Sequence, residues 1–262
     1  MSDVVYKSVE DGVATITLNR PERLNAWTGE MENLYFDALV ECENSAEVRA
    51  IVVTGAGRGF CAGADMQDLQ AIGNGGIDPS RLEAERRPQT FPLSIGKPII
   101  AAINGACAGL GLVQALMCDL RFAATGAKLT SAFARRGLVA EHGISWLLPR
   151  LVGPARALDV LLSARVVLAE EACAMGLVNR VVAPELLLEE TISYARELAV
   201  SSSPASMATI KRQVYADLEG GLGDALARAD ELMLASFGAT DFQEGVTSFL
   251  ERRDPRFQAI GS

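Results

Sequence analysis

The sequence predicts an α/β fold that ends in a helical C-terminal region. Short apolar strands alternate with helical patterns as far as residue 182, the signature of βαβ units around a largely parallel sheet. Two of these strands run into glycine-rich turns that open helices, over Thr54–Met66 and Ile103–Leu112. After residue 182 the patterning is helical only. A length of 262 residues suits one large core with a smaller appendage, expected as residues 1–198 and 199–262.

In chain order, the runs Val4–Val9 and Val13–Leu18 flank Asp11-Gly12, a hairpin signal. Asn19-Arg20-Pro21 ends the second run, and a loop leads to Asn25-Ala26-Trp27. Thr28 is placed to N-cap a helix reaching about Cys42, with Leu34, Ala38 and Val40 among its buried candidates. Ala50–Thr54 is a fully apolar strand of the kind buried on both faces, and a short helix begins near Met66. Residues 73–92 carry a glycine cluster, mixed charges, Pro88 and Pro92, and read as a mobile insertion with a short helix in it. Lys97-Pro98 introduces the strand Ile99–Ile103, and Asn104–Gly111 turns into the helix Leu112–Met117. Leu120–Ala123 and Lys128–Thr130 are further strands, Ala155–Leu162 and Glu170–Met175 helices, and Gly176–Val182 the closing strand. Ser203-Pro204 supplies an N-cap with proline at the first helical position. Asp241-x-x-Glu244 has the spacing of a capping box.

Composition narrows the function. With 24 Lys+Arg against 33 Asp+Glu the formal charge is −9, and no basic stripe is present to neutralise phosphates, so nucleic acid is not an expected partner. An anionic ligand must then be held by a few local arginines and backbone N–H groups. Disorder is excluded by 49% hydrophobic residues with 22% charged ones. A positive mean hydropathy points to apolar surface covered by other subunits. Cysteines at 42, 61, 107, 118 and 173 form no CxxC pair, the usage of a reducing compartment. The N-terminus shows no secretory signal pattern, and a cytoplasmic location is expected. Ile99–Cys118 is uncharged and long enough to cross a bilayer. Its Asn104, Gln114 and three glycines nevertheless fit a strand, a turn and a buried helix better, so no membrane partner is expected. His142 is the single histidine, which leaves little for a Ser-His-Asp triad or a metal site; no metal is expected.

The two glycine turns share one design: buried strand, turn, helix start. A helix N-terminus offers unpaired N–H groups and partial positive charge, and glycine lets a ligand approach the backbone. Gly55-x-Gly57-x-Gly59 does not have the dinucleotide-binding spacing, and no P-loop motif is present. What survives is a pair of backbone donors converging on a developing oxyanion.

Asn19-Arg20-Pro21-x-x-x-Asn25-Ala26, Gly59-Phe60-Cys61-Ala62-Gly63-Ala64-Asp65, Lys97-Pro98-x-x-Ala101-Ala102-x-Asn104-Gly105-x-Cys107-x-Gly109-x-Gly111 and Met117-Cys118-Asp119 together resemble the crotonase, or enoyl-CoA hydratase/isomerase, superfamily. Later segments agree, from Arg150-Leu151-Val152-Gly153 to Phe249-x-x-Arg252-Arg253-x-Pro255-x-Phe257. The resemblance implies a spiral of ββα units, a C-terminal helical trimerisation region, and a homotrimer or a hexamer built as a dimer of trimers. It implies an acyl-CoA substrate, with coenzyme A present only as part of it and no separate cofactor. The oxyanion hole would use the N–H groups of Ala64 and Leu110; many relatives have glycine at the second position. CoA contacts would map to Arg23, Ala26, Ala62, Asp65 and Met66, although Asp65 has a rival role as the cap of the following helix.

Hydratases of the family place two glutamates where this chain has Val113 and Phe133. Glu141, in Gly137-Leu138-Val139-Ala140-Glu141-His142-Gly143, stands where some isomerases of the family carry an aspartate base. Flanking apolar residues would raise its pKa by desolvation, which suits a base working near neutrality; the plainer alternative is an exposed loop acid. His142 could tune Glu141 or, since adjacent residues usually point apart, serve only in packing. Cys61 and Cys107 are expected as small buried thiols. The leading expectation is enoyl-CoA double-bond isomerisation with Glu141 as single base. Enoyl-CoA hydration in fatty-acid or aromatic-acid degradation, and a catalytically silent CoA-binding scaffold, are the alternatives.

Overall fold

The computed structural model describes residues 4–74 and 86–260. Strands β1 (Val5–Glu10) and β2 (Val13–Leu18) form an antiparallel hairpin in which Glu10 faces Val13. Its two turn residues, Asp11 and Gly12, have φ of 49° and 79°, as a tight hairpin turn with two left-handed residues requires. The sheet continues through β3 (Ala50–Gly55), β5 (Ile99–Ile103), β7 (Leu120–Ala124) and β10 (Arg180–Val182), in the order β1-β2-β3-β5-β7-β10. Every pairing from β2 onward is parallel. β3 and β5 are buried along their whole length, which is why both read as unbroken apolar runs.

A second sheet has the order β4-β6-β8-β9 and uses β4 (Gly59–Cys61), β6 (Ala106–Ala108), β8 (Lys128–Thr130) and β9 (Val167–Leu168). After the hairpin, successive passes give one strand to each sheet and then a helix. β3 and β4 lead to α2 (Met66–Gly73), and β5 and β6 lead to α3 (Leu110–Met117). Because β3, β5 and β7 are neighbours in one sheet and β4, β6 and β8 in the other, successive passes stack. This is the ββα spiral.

Helix α1 (Gly29–Asn44) is capped by Thr28, whose side chain accepts from the N–H of Met31 at 3.2 Å. Its buried face carries Met31, Tyr35, Phe36, Ala38, Leu39 and Cys42, while Leu34 is only half-buried and Val40 is exposed. Of the three expected positions Ala38 alone faces inward: the aromatic pair Tyr35–Phe36, in ring contact with Trp27, decides which side turns to the core. Strands β4 and β6 lie inside segments read as turns. Three residues are too few to show alternation, and they pair only because the next pass lies alongside. Helix α3 begins at Leu110 rather than Leu112, and the closing strand shrinks to β10 because Gly176 turns at φ 86° and Ala172 O accepts from both Leu177 and Val178. Helix α4 (Ile144–Val152) was not foreseen, since Pro149 lies within it. The insertion expected at 73–92 falls in large part outside the described residues.

Helices α5 (Pro154–Ser163) and α6 (Ala169–Ala174) follow, and α7 (Leu187–Ser201) packs across β2, β3, β5 and β7. Three more helices end the chain: α8 (Pro204–Asp217), α9 (Leu222–Phe237) and α10 (Thr240–Glu251). Asp119 ties α8 to the core, accepting from Lys211 Nζ at 2.7 Å, Tyr215 OH at 3.1 Å and the N–H of Ile99 at 2.7 Å. Ser203 caps α8 as expected. The capping box does not form. Residue Asp241 is already inside α10 and accepts from Ser203 Oγ and the Gln258 N–H, while Glu244 is held by Arg253 and the Arg256 N–H. Both acids fasten the last residues back onto the helices. Among the described residues no helix is long and apolar enough to cross a membrane. The uncharged stretch from Ile99 is β5, β6 and α3.

Candidate active site

The loop before α1 is zipped onto the first glycine turn. Asn25 donates to Ala56 O at 3.0 Å and Gly59 O at 2.8 Å, while its Oδ1 accepts from the Arg20 N–H. The Ala62 N–H bonds Leu24 O, the Trp27 N–H bonds Gly63 O, and the Asp65 N–H bonds Trp27 O. Ala64 thus stands opposite Trp27 in a parallel bridge. The bridge uses the groups of its neighbours, so the N–H of Ala64 itself points the other way.

The second turn touches the first. A Cβ on Gly63, where φ is +99°, would lie 2.9 Å from Ala108 O, so only glycine allows the approach. Gly109 opens α3 at φ 51° and ψ −120°, a backbone region outside those allowed to L side chains. Leu110 is then the first residue of α3, and its N–H has no intrahelical acceptor. The contact between Gly63 and Gly109 sets these two backbone donors, Ala64 and Leu110, one residue beyond it on either side.

A cavity of about 1210 Å³ opens there. Its lining includes Ala64, Leu110 and Glu141, together with Arg23, Ala26, Ala62, Asp65 and Met66, so the eight residues singled out from the sequence share one wall system. Phe133 and Leu138 add apolar surface, and Val113 is buried in α3. Positions 113 and 133 therefore bring no carboxyl to the cavity.

Among the described residues four carboxyl groups line the cavity, and their surroundings differ. Glu32 is 1% exposed and accepts from Trp27 Nε1 at 3.0 Å, from Gln89 Nε2 at 2.5 Å and from Arg86 through two guanidinium nitrogens. Burial pushes its pKa up, but these donors and the Arg86 charge outweigh it and hold the pKa below the ordinary value. It was missed in the sequence, although the periodicity that buries Tyr35, Phe36 and Leu39 puts position 32 on the same face. Asp65 caps α2, its Oδ1 accepting from the Gln67 N–H at 3.0 Å, and pairs with Arg20 at 3.0 Å. The Gln67 bond, ahead of the arginine, lowers its pKa. The capping role expected for Asp65 is thus present. Asp68 is exposed on α2.

Glu141 differs from these three. It lies between Ala140 and His142 in the turn before α4, and its Oε2 is 3.6 Å from His142 Nε2. Both residues line the cavity. Adjacent side chains would normally point apart, but His142 has φ 55° and Gly143 φ 80°, and this left-handed turn brings the imidazole round beside the carboxyl. The packing role entertained for His142 gives way to a place at the site wall.

Cys61 and Cys107 lie behind the turns and are fully buried. Burial pushes the Cys61 thiol up to about 12 and Cys107 well above its ordinary value, the state of packed neutral thiols. Among the described residues no group of three or more His, Cys, Asp or Glu side chains could hold a metal ion. The cavity thus brings together Ala64 and Leu110 from the two turns, an acid with an imidazole beside it, and an apolar wall.

Known proteins share this architecture along its whole length. 1,2-Epoxyphenylacetyl-CoA isomerase of Escherichia coli K12 is 36% identical over 260 residues, covering 98% of this chain and 99% of that protein. The crystal structure of an enoyl-CoA hydratase, EchA12_1, from Mycobacterium marinum is 50% identical with a TM-score of 0.70, covering 82% of this chain and 98% of that one. An enoyl-CoA hydratase structure from Polaromonas sp. JS666 is 30% identical with a TM-score of 0.90, over 97% and 99% of the two chains. A family model for enoyl-CoA hydratase/isomerase matches residues 8–259, and with the ββα spiral and touching glycine turns already in view, this chain belongs to that family of enzymes.

Proposed function

We propose that the cavity binds an enoyl-CoA thioester and that the enzyme moves its double bond, with Glu141 as the single base. The thioester oxygen lies between the N–H groups of Ala64 and Leu110, which makes the protons next to the carbonyl acidic by stabilising the enolate. Glu141 removes a proton from C2 of a 3-enoyl-CoA. The electron pair spreads over the carbonyl and the old double bond as a dienolate, and the same carboxylic acid returns the proton at C4 to give the 2-enoyl isomer. Nothing is gained or lost overall, so neither a cofactor nor a second acid is required. Coenzyme A enters as part of the substrate, with Arg23, Ala26, Ala62, Asp65 and Met66 along its path.

The observation that carries this reading is the pairing of a retained donor frame with Val113 and Phe133 at the usual acid positions, while Glu141 lines the same cavity. Hydration is the second reading, favoured by the 50% identity to the Mycobacterium marinum enoyl-CoA hydratase. One assay separates them. Purified enzyme should convert a 3-enoyl-CoA to the 2-enoyl isomer faster than it hydrates a 2-enoyl-CoA of equal length. Glu141→Gln keeps the shape and removes the base, so isomerisation should fall about 10²–10⁴-fold with CoA affinity nearly unchanged. Robust hydration surviving Glu141→Gln would sink the single-base reading.

A further inference from the structure

We propose that His142 is a positioning residue for Glu141, its imidazole holding the carboxylate toward the cavity. The proposal rests on Glu141 being the base. In an extended chain, consecutive side chains leave on opposite faces. Here two successive left-handed residues, His142 and Gly143, reverse the chain. The turn is then locked by bonds from the Ile144 N–H to Glu141 O at 3.1 Å and from the N–H groups of Trp146 and Leu147 to Gly143 O at 3.0 Å. The start of α4 thus fixes where both side chains emerge.

A left-handed conformation at a residue other than glycine is uncommon. Glycine or asparagine would adopt it more readily, yet the only histidine of the chain stands there. Its ring is brought to 3.6 Å from Glu141 Oε2, with the two side chains 21% and 29% exposed. That distance exceeds a hydrogen bond and lies within ion-pair range; catalytic contacts of this kind commonly tighten when substrate arrives. A flexible glutamate on a turn has many rotamers, and a donor beside it selects the one facing the substrate.

Three variants and one spectrum test it. His142→Gly keeps the left-handed backbone favourable and removes the ring, so kcat for isomerisation should fall about 10–100-fold while KM changes less than about twofold. His142→Gln returns a donor near the Nε2 position and should recover most of that loss. Wild-type kcat in His142→Gly, or no recovery in His142→Gln, overturns the proposal. Because the chain has one histidine, the intact protein gives one set of imidazole resonances, and Glu141→Gln should displace it. An unmoved resonance places the ring away from the carboxylate and also overturns the proposal, whatever the activity. Isomerisation that survives Glu141→Gln defeats the base assignment instead. Its loss there, with full activity in His142→Gly, defeats only the positioning role.

Discussion

Glu32 is a buried acid kept charged at the wall of the cavity, and its partners decide how the protein meets low pH. Its folded-state pKa is lowered, so the stability it contributes is present above its ordinary pKa of 4.5 and is lost as pH falls through the lowered folded value. Melting temperatures measured through that acid window should therefore drop for the wild type. Glu32→Gln should be less stable at neutral pH by about 1–3 kcal/mol, because Arg86, Trp27 and Gln89 lose their acceptor charge, and its acid limb should be flatter. A parallel acid limb in the variant would remove Glu32 from the titration. The same residue shows what a helical pattern conceals. Position 32 is legible as inward-facing, but three of its donors, Trp27, Arg86 and Gln89, come from other segments, so the sequence by itself gives no reason for an acid there.

At the scale of elements, the join between β6 and α3 carries the candidate oxyanion donor. Gly109 has φ 51° and ψ −120°, and the nearest atom to a Cβ added there is 3.8 Å away. Gly109→Ala is therefore a problem of backbone strain and not of space, and should cost about 1–3 kcal/mol of stability. If the strain is relieved by turning the peptide into Leu110, isomerase activity should fall further than the stability loss accounts for. Thermal denaturation and turnover measured on the same preparation check this, and a variant with unchanged melting temperature would show that the backbone there adapts freely. The glycine turns were visible as turns from composition. Their strands β4 and β6 were not, because strands of three residues exist only through neighbours supplied by the next pass.

Across the molecule, the last helices leave much apolar surface uncovered. Leu222 is 77% exposed, Phe249 81% and Leu250 74%, and α9 buries none of its residues. Exposed apolar side chains in such number call for a partner, and a second and third copy of the chain is the partner expected. Light scattering at micromolar concentration should return a mass of three or six chains of 27.8 kDa; a monomer would contradict the expectation. The positive mean hydropathy already pointed this way, since an excess of apolar residues has to be covered by something.

Local chemistry was readable without coordinates wherever it depends on short stretches of chain. The Asp11-Gly12 hairpin, the Thr28 and Ser203 caps, the buried strands β3 and β5, and the two glycine turns all follow from backbone sterics and periodicity within about ten residues. The motifs of the two glycine turns also carried much of the family resemblance and five of the eight cavity residues, Ala62, Ala64, Asp65, Met66 and Leu110. Other features arise only when distant segments meet. Asp241 and Glu244 have the spacing of a cap, but Ser203, Arg253 and the chain beyond Arg256 reach them first and turn the pair into a C-terminal clasp. His142 reads equally as a packing residue or a neighbour of Glu141 until its left-handed backbone turns it onto that carboxyl. In each case a competing partner, or a dihedral held by surrounding structure, outweighs the local preference, and neither is encoded in the spacing of residues along the chain.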